Sequence, residues 1–297
     1  MKSISYYLLF GFAWLISLLP FWLLHRISDL LYIFVYYIVG YRKSTVYNNL
    51  RTSFPEKDES EIIRLVKSFY RHFTDFLVEI VKMMSISEKN LNKHVVFKNP
   101  EIFTQLARER KNFALVSAHY NNWEMLTALP RKMEHRFNVI YRPLKNKVTD
   151  GLSFYMRSRL GAIMIPMENI LREAMKNKAE DKLFSIWFLA DQRPPRLSRF
   201  WTLFLNHETA FFEGIEKISR KMGMAVVFMD MQKVRRGYFE VRLEVLFDNA
   251  STVPENQVTL GCVRKMEQQI LKQPEYWLWS HKRFKHSKPE GVNLIVS

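Results

Sequence analysis

An apolar run, Phe113-Ala114-Leu115-Val116-Ser117, leads through Ala118 to His119, and Glu124 follows five residues later. A histidine beside a carboxylate is a useful base. The carboxylate fixes the tautomer and stabilises the imidazolium, while the other ring nitrogen takes a proton from a nucleophile. The apolar run reads as a buried strand and residues 121–135 as a helix, with Asn121 or Asn122 as its N-cap. On a regular helix five positions turn through about 500°, so His119 and Glu124 would not share a face. They meet only if His119 lies on the turn before the helix and Glu124 in its first turns. The spacing alone is a weak signal, and a chance pair is its plain alternative.

Two more charged side chains follow strand-like runs. Arg142 follows Val139-Ile140-Tyr141, and Asp191 follows Trp187-Phe188-Leu189-Ala190. Strand ends in an open α/β sheet are where ligands bind, so His119, Arg142 and Asp191 are expected on one rim. The elements that must carry them alternate. Strands are expected at 113–118, 137–141, 162–166, 183–189, 224–229 and 238–247. Helices are expected at 100–110, 121–135, 146–159, 168–178, 209–222 and 255–272. Gly223, after Arg220-Lys221, reads as a helix C-cap. This alternation predicts an α/β layered domain with a mostly parallel sheet.

Before that body, residues 4–24 carry no Asp, Glu, Lys or Arg and would form a helix of roughly 30 Å, about one hydrocarbon core. Residues 27–41 are a second apolar, aromatic stretch, broken by Asp29 and suited to an interface. Arg26, Arg42, Lys43 and Arg51 follow the first segment and only Lys2 precedes it, which places the body in the cytoplasm. We therefore expect a membrane-associating region over 1–52 and one α/β domain over 53–297. Ser53 and Pro55 suit the start of a long amphipathic helix carrying Ile62, Val66, Phe69, Phe73, Ile80 and Met84. Its Asp75 and Glu79 read as a solvated or partly packed face.

The chain has 297 residues, 48% of them hydrophobic, and a net charge of +16. A core is ensured, and partners should be polyanionic: an anionic membrane face, an acidic carrier protein or nucleic acid. Basic residues interleaved with Trp277, Trp279 and Phe284 would also suit nucleic acid, but lipid phosphates or an acidic carrier fit the apolar context better. The single cysteine, Cys262, allows no internal disulfide. No metal and no nucleotide cofactor is expected, because zinc spacing, a P-loop and G-x-G-x-x-G are all missing from the sequence.

The stretch Ser117-Ala118-His119-Tyr120-Asn121-Asn122-Trp123-Glu124 resembles the H-x-x-x-x-D/E motif of glycerolipid and lipid A acyltransferases. Tyr141-Arg142-Pro143-Leu144-Lys145, Ala190-Asp191-Gln192 and Pro274-Glu275-Tyr276-Trp277-Leu278-Trp279-Ser280-His281-Lys282-Arg283-Phe284-Lys285 match in the same order. Together they resemble the late acyltransferases of lipid A biosynthesis over nearly the whole chain. The resemblance implies a glycerol-3-phosphate-acyltransferase-like layered fold. It also implies transfer of a fatty acyl chain from a thioester, carried by acyl carrier protein, to a hydroxyl of a lipid A precursor at the cytoplasmic face of the inner membrane. His119 would be the general base, held by Glu124, and the hydroxyl would attack the thioester directly. Arg157 would bind an acceptor phosphate or stabilise the oxyanion, Asp191 would order the arginines, and Arg142, Lys145 and Arg159 would contact anionic groups.

Two residues depart from the family pattern. Ala118 and Asn121 stand where glycines are usual, adding bulk where backbone approaches substrate. His207 is a second candidate base without a visible partner, and Thr209 a candidate helix cap. The aromatics of 200–212 suit an acyl groove or a core equally. A lysophospholipid or amino-acid lipid as acceptor is the alternative within enzymes, and a non-catalytic membrane-surface binding protein is the alternative outside them.

Overall fold

A computed structural model describes residues 4–194 and 198–296. Two apolar helices open the chain, α1 (Ile4–Leu18) and α2 (Phe21–Ile33), the second continuing as π-helix to Val39. Pro20 separates them, as expected of a residue that tolerates only the start of a helix. Next come α3 (Lys43–Ser53) and the 24-residue α4 (Glu59–Lys82). The cap of α4 is Asp58, not Ser53. The Asp58 side chain accepts from the Glu61 amide, and the Glu61 side chain reaches back to the Asp58 amide. Ser53 instead ends α3.

The body then runs α5 (Glu88–His94), β1 (Val95–Phe97), α6 (Glu101–Arg108), β2 (Phe113–Ser117), β3 (Arg136–Tyr141), α7 (Lys147–Ser158), β4 (Ile163–Pro166), α8 (Ile170–Ala179) and β5 (Phe184–Leu189). It finishes with β6 (Trp201–Phe204), β7 (His207–Ala210), α9 (Gly214–Met222), β8 (Ala225–Arg235), β9 (Tyr238–Phe247) and α10 (Gln257–Lys272). Seven strands form one sheet in the order β1-β9-β8-β2-β5-β3-β4, while β6 and β7 form a separate hairpin. Every pairing in the large sheet is parallel except β8 with β9. β2 lies near its middle and is buried along its whole length, as a strand covered on both faces must be. Alternate residues feed two cores. Ala114, Ile186 and Val226 face one layer, Leu115, Trp187 and Val227 the other.

All six expected strands form, and Gly223 ends α9 with a left-handed φ of 64°. Two expected helices differ. Residues 121–135 contain only a 3-10 segment, Trp123–Lys132, because Asn121 has φ 53° and Pro130 removes a helical donor. Residues 209–222 begin as β7, and the helix starts at Gly214, so Thr209 is a strand residue rather than a cap. Leu205 and Asn206, with φ of 49° and 64°, make the tight turn from β6 to β7.

The reading of Asp75 and Glu79 as a solvated face is also overturned. Both are buried, at 4% and 1% exposure, where α4 meets α2 and the β8–β9 turn. Arg236 on that turn pairs with Asp75 and Asp29, and His25 of α2 bonds Glu79 at 3.1 Å. The buried charge is tolerated because every carboxylate has a cationic or N–H partner.

Candidate active site

The register of the sheet builds the site. Ser117 of β2 lies opposite Leu189 of β5, so the residues two positions beyond each, His119 and Asp191, emerge side by side. The His119 amide donates to Asp191 Oδ2 at 2.9 Å, and Nδ1 donates to Oδ1 at 2.6 Å. Trp277 Nε1 donates to Asp191 Oδ2 at 2.7 Å. Burial raises the pKa of the Asp191 carboxyl, but the adjacent imidazole and these donors outweigh it and hold the group at about 2. An ionised carboxylate accepts only, so Nδ1 carries the proton of that bond, and Nε2 is the nitrogen left to act as acceptor whenever the ring is neutral. That nitrogen takes a bond from the Gln192 amide at 2.9 Å. Gln192 is exposed, so the basic nitrogen lies at the mouth of the site.

The carboxylate expected at His119 was that of Glu124; the one bonded to the imidazole is Asp191. Glu124 is instead gripped by Arg157, with Nε to Oε2 at 2.8 Å and Nη2 to Oε1 at 2.5 Å. Trp123 Nε1 adds a third donor at 3.1 Å. Burial raises the Glu124 pKa, but Arg157, with a smaller contribution from His119, lowers it below the ordinary value. The two carboxylates therefore engage different partners, Asp191 the imidazole of His119 and Glu124 the guanidinium of Arg157. Trp123 packs edge-on against the imidazole, with ring centres 4.9 Å apart.

The turn between His119 and Glu124 is fixed from below. Leu278 N–H donates to the His119 carbonyl and Asn121 N–H to that of Tyr276. The Asn121 side chain is fully buried, its amide donating to the Met231 carbonyl of β8 at 2.8 Å. Asparagine tolerates the left-handed conformation that a glycine would otherwise supply. Ala118 is buried in one of the two cores, so both departures from glycine are accommodated within the packed interior. Asn122 donates to Glu79 Oε2 at 2.7 Å, which ties the turn to α4.

The remaining candidates are dispersed. Arg142 and Lys145 are exposed on the loop after β3. Arg159 is occupied elsewhere: its Nη1 donates to the Met83 and Ile86 carbonyls at 3.1 and 2.9 Å and ties α7 to the end of α4. His207 stacks on Phe284, with ring centres 3.9 Å apart. Phe200, Phe204 and Phe211 are core residues. A small apolar pocket lies instead beside Trp123, lined by Phe69, Phe73, Phe76, Tyr276 and Leu278.

Sequence reasoning missed Gln192, Trp123 and Trp277 as site residues although all three lie inside quoted motifs. Gln192 reads as an exposed turn residue and Trp277 as core until the distant residues they touch, His119 and Asp191, are known, and Trp123 meets the nearby His119 ring only because of how the turn folds.

A family model described as bacterial lipid A biosynthesis acyltransferase matches residues 1–286. The lipid A biosynthesis lauroyltransferase of Escherichia coli K12 is 25% identical over 286 residues, covering 95% of this chain and 91% of the relative. The palmitoleoyltransferase of the same organism is 24% identical over 261 residues, covering 86% and 82%. A lipid A biosynthesis acyltransferase of Haemophilus influenzae is 21% identical over 270 residues, covering 90% and 83%.

Proposed function

The chain belongs to the bacterial lipid A biosynthesis acyltransferases and is an O-acyltransferase, and from that premise we propose how and on what it acts. His119 is the general base. Its Nε2 takes the proton of an acceptor hydroxyl as that oxygen attacks the thioester carbonyl, and Asp191 stabilises the imidazolium that forms. The tetrahedral oxyanion then collapses, the carbon–sulfur bond breaks, and the imidazolium returns its proton to the leaving thiolate. Arg157, held by Glu124, still has N–H groups to offer and neutralises the oxyanion or an acceptor phosphate. The observation that carries this reading is the His119–Asp191 bond, which occupies Nδ1 and turns Nε2 toward the exposed side chain of Gln192.

Acyl carrier protein is the proposed donor. It is acidic and this chain carries +16, so encounter is electrostatically favoured. The acceptor is a lipid A precursor, whose anionic groups Arg142 and Lys145 meet on the exposed loop beside the rim. The enzyme works at the inner membrane with its body in the cytoplasm, the side on which the proposed acyl carrier donor is met.

Mass spectrometry of membrane lipids with and without the gene tests the acceptor. Loss of one acyl chain from lipid A, with phospholipids unchanged, is expected. Unchanged lipid A with altered glycerolipids or amino-acid lipids would transfer the same chemistry to another acceptor.

A further inference from the structure

We infer that α1 and α2 attach the enzyme to a single leaflet, lying in the membrane plane as an apolar sheath on the body, and that neither crosses the bilayer. This rests on the membrane-lipid acceptor proposed above.

Each helix gives the protein only a narrow stripe. On α1 the inward residues are Tyr6, Phe10, Ala13 and Ser17, and on α2 they are Leu24, Ser28 and Tyr32, with Tyr36 continuing the line on the π segment. The other faces are apolar and open: Leu8 is 70% exposed, Phe12 63%, Trp22 67% and Ile38 71%. Exposed apolar surface this continuous must be covered.

Length does not decide between lying and crossing, because residues 21–39 are long and apolar enough to span. Anchorage does. Near its start α1 meets α7, where Tyr6 lies against Gly151 and Phe10 packs on Tyr155. At its end Lys82 Nζ donates to the Ser17 and Leu19 carbonyls, both at 2.8 Å. A helix held at both ends along the body does not project from it. As 15 residues, roughly 22 Å, it is also short of a 30 Å hydrocarbon core.

α2 is held more firmly. His25 bonds Glu79, Ser28 Oγ donates to Asp75 at 2.7 Å, and Asp29 pairs with Arg236 at 2.6 Å. Crossing would either break these bonds or draw the charged β8–β9 turn into hydrocarbon, where each charge costs several kcal/mol. Lying flat keeps them all. Arg26, midway along α2, and Arg42 and Lys43, at the start of α3, are exposed, and their long side chains reach lipid phosphates.

The sheath also adjoins the site. Tyr41 stacks on Phe73, which lines the aromatic pocket with Trp123, and Trp123 touches the His119 ring. A lipid acceptor and an acyl chain would reach the base without leaving the interface.

The test is topology in the full-length protein. Cys262 is buried, so single cysteines placed by Ile4→Cys and Lys89→Cys report against a quiet background. With a membrane-impermeant maleimide on cells whose outer membrane is permeabilised, both sites should be protected, and both should react after lysis. Reaction of Ile4→Cys from outside with protection of Lys89→Cys would mean a span and would overturn the inference. Arg26→Gln should weaken binding to phosphatidylglycerol-containing vesicles about five-fold, the loss of one surface cation. Release of the wild-type protein from membranes by salt alone would also overturn it. Opposite-side labelling with lipid A still dependent on the gene would remove only the flat attachment. Same-side labelling with unchanged lipid A would remove only the proposed acceptor.

Discussion

Two buried histidine–carboxylate pairs stand on either side of one turn, and they do different things. His119 bonds Asp191 at 2.6 Å, and His25 bonds Glu79 at 3.1 Å. Asp191 and Glu79 are almost equally buried, at 3% and 1%. Asp191 engages Nδ1 of its histidine, so Nε2 is left at the mouth beside an exposed glutamine. Glu79 engages Nε2 of its histidine, and its second oxygen is taken by Asn122. Burial and a carboxylate partner are therefore common to both pairs; they differ in which nitrogen remains and what it faces.

The largest effect should come from His119→Ala, a loss of about 10²–10⁴ in acyl-transfer rate with purified lipid precursor. The protein should still melt cooperatively, since Asp191 keeps the His119 amide and Trp277 as donors. A rate near wild type would remove the base from the mechanism. Arg157→Ala should follow, with kcat down by about 10²–10³, and Glu124→Gln should lower kcat less, because one of its two bonds to Arg157 can persist. His25→Ala sharpens the contrast. It should lower unfolding free energy by about 1–3 kcal/mol in denaturant titrations while turnover per folded molecule changes only a few-fold. If it silenced the enzyme as His119→Ala does, the two pairs would be one machine.

A smaller effect concerns pH. The folded pKa of Asp191 is depressed, so its contribution to stability is present above the ordinary value of 3.8 and is lost as pH falls toward about 2. Asp191→Asn should flatten that part of the stability–pH curve, and a curve of unchanged steepness would show that other carboxylates dominate it. Smallest of all, Gln192→Ala should shift KM more than kcat and by under about ten-fold, since it removes one exposed hydrogen bond.

Much of this was readable before any coordinates. His119, Arg142 and Asp191 each follow an apolar run of strand length, and the sheet brings those runs together in the order β2-β5-β3. What the chain did not disclose is register. His119 meets Asp191 because Ser117 lies opposite Leu189, a relation across 72 residues that no local spacing encodes. The same holds for Glu79, which sits on a helix with polar neighbours and looks solvated until α2 and the β8–β9 turn cover it. The β6–β7 hairpin was hidden for another reason. Its turn uses Leu205 and Asn206 rather than the glycine pair that usually announces one, so Thr209 read as a cap.

The pairing of Asp29 with Arg236 also sets an order in time. The two residues are 207 positions apart. At ordinary rates of synthesis, Arg236 leaves the ribosome roughly 10–40 s after Asp29. Throughout that interval the second apolar helix has been made but its arginine clasp has not. Until the clasp arrives, the apolar face of that helix must be covered by something other than the finished body.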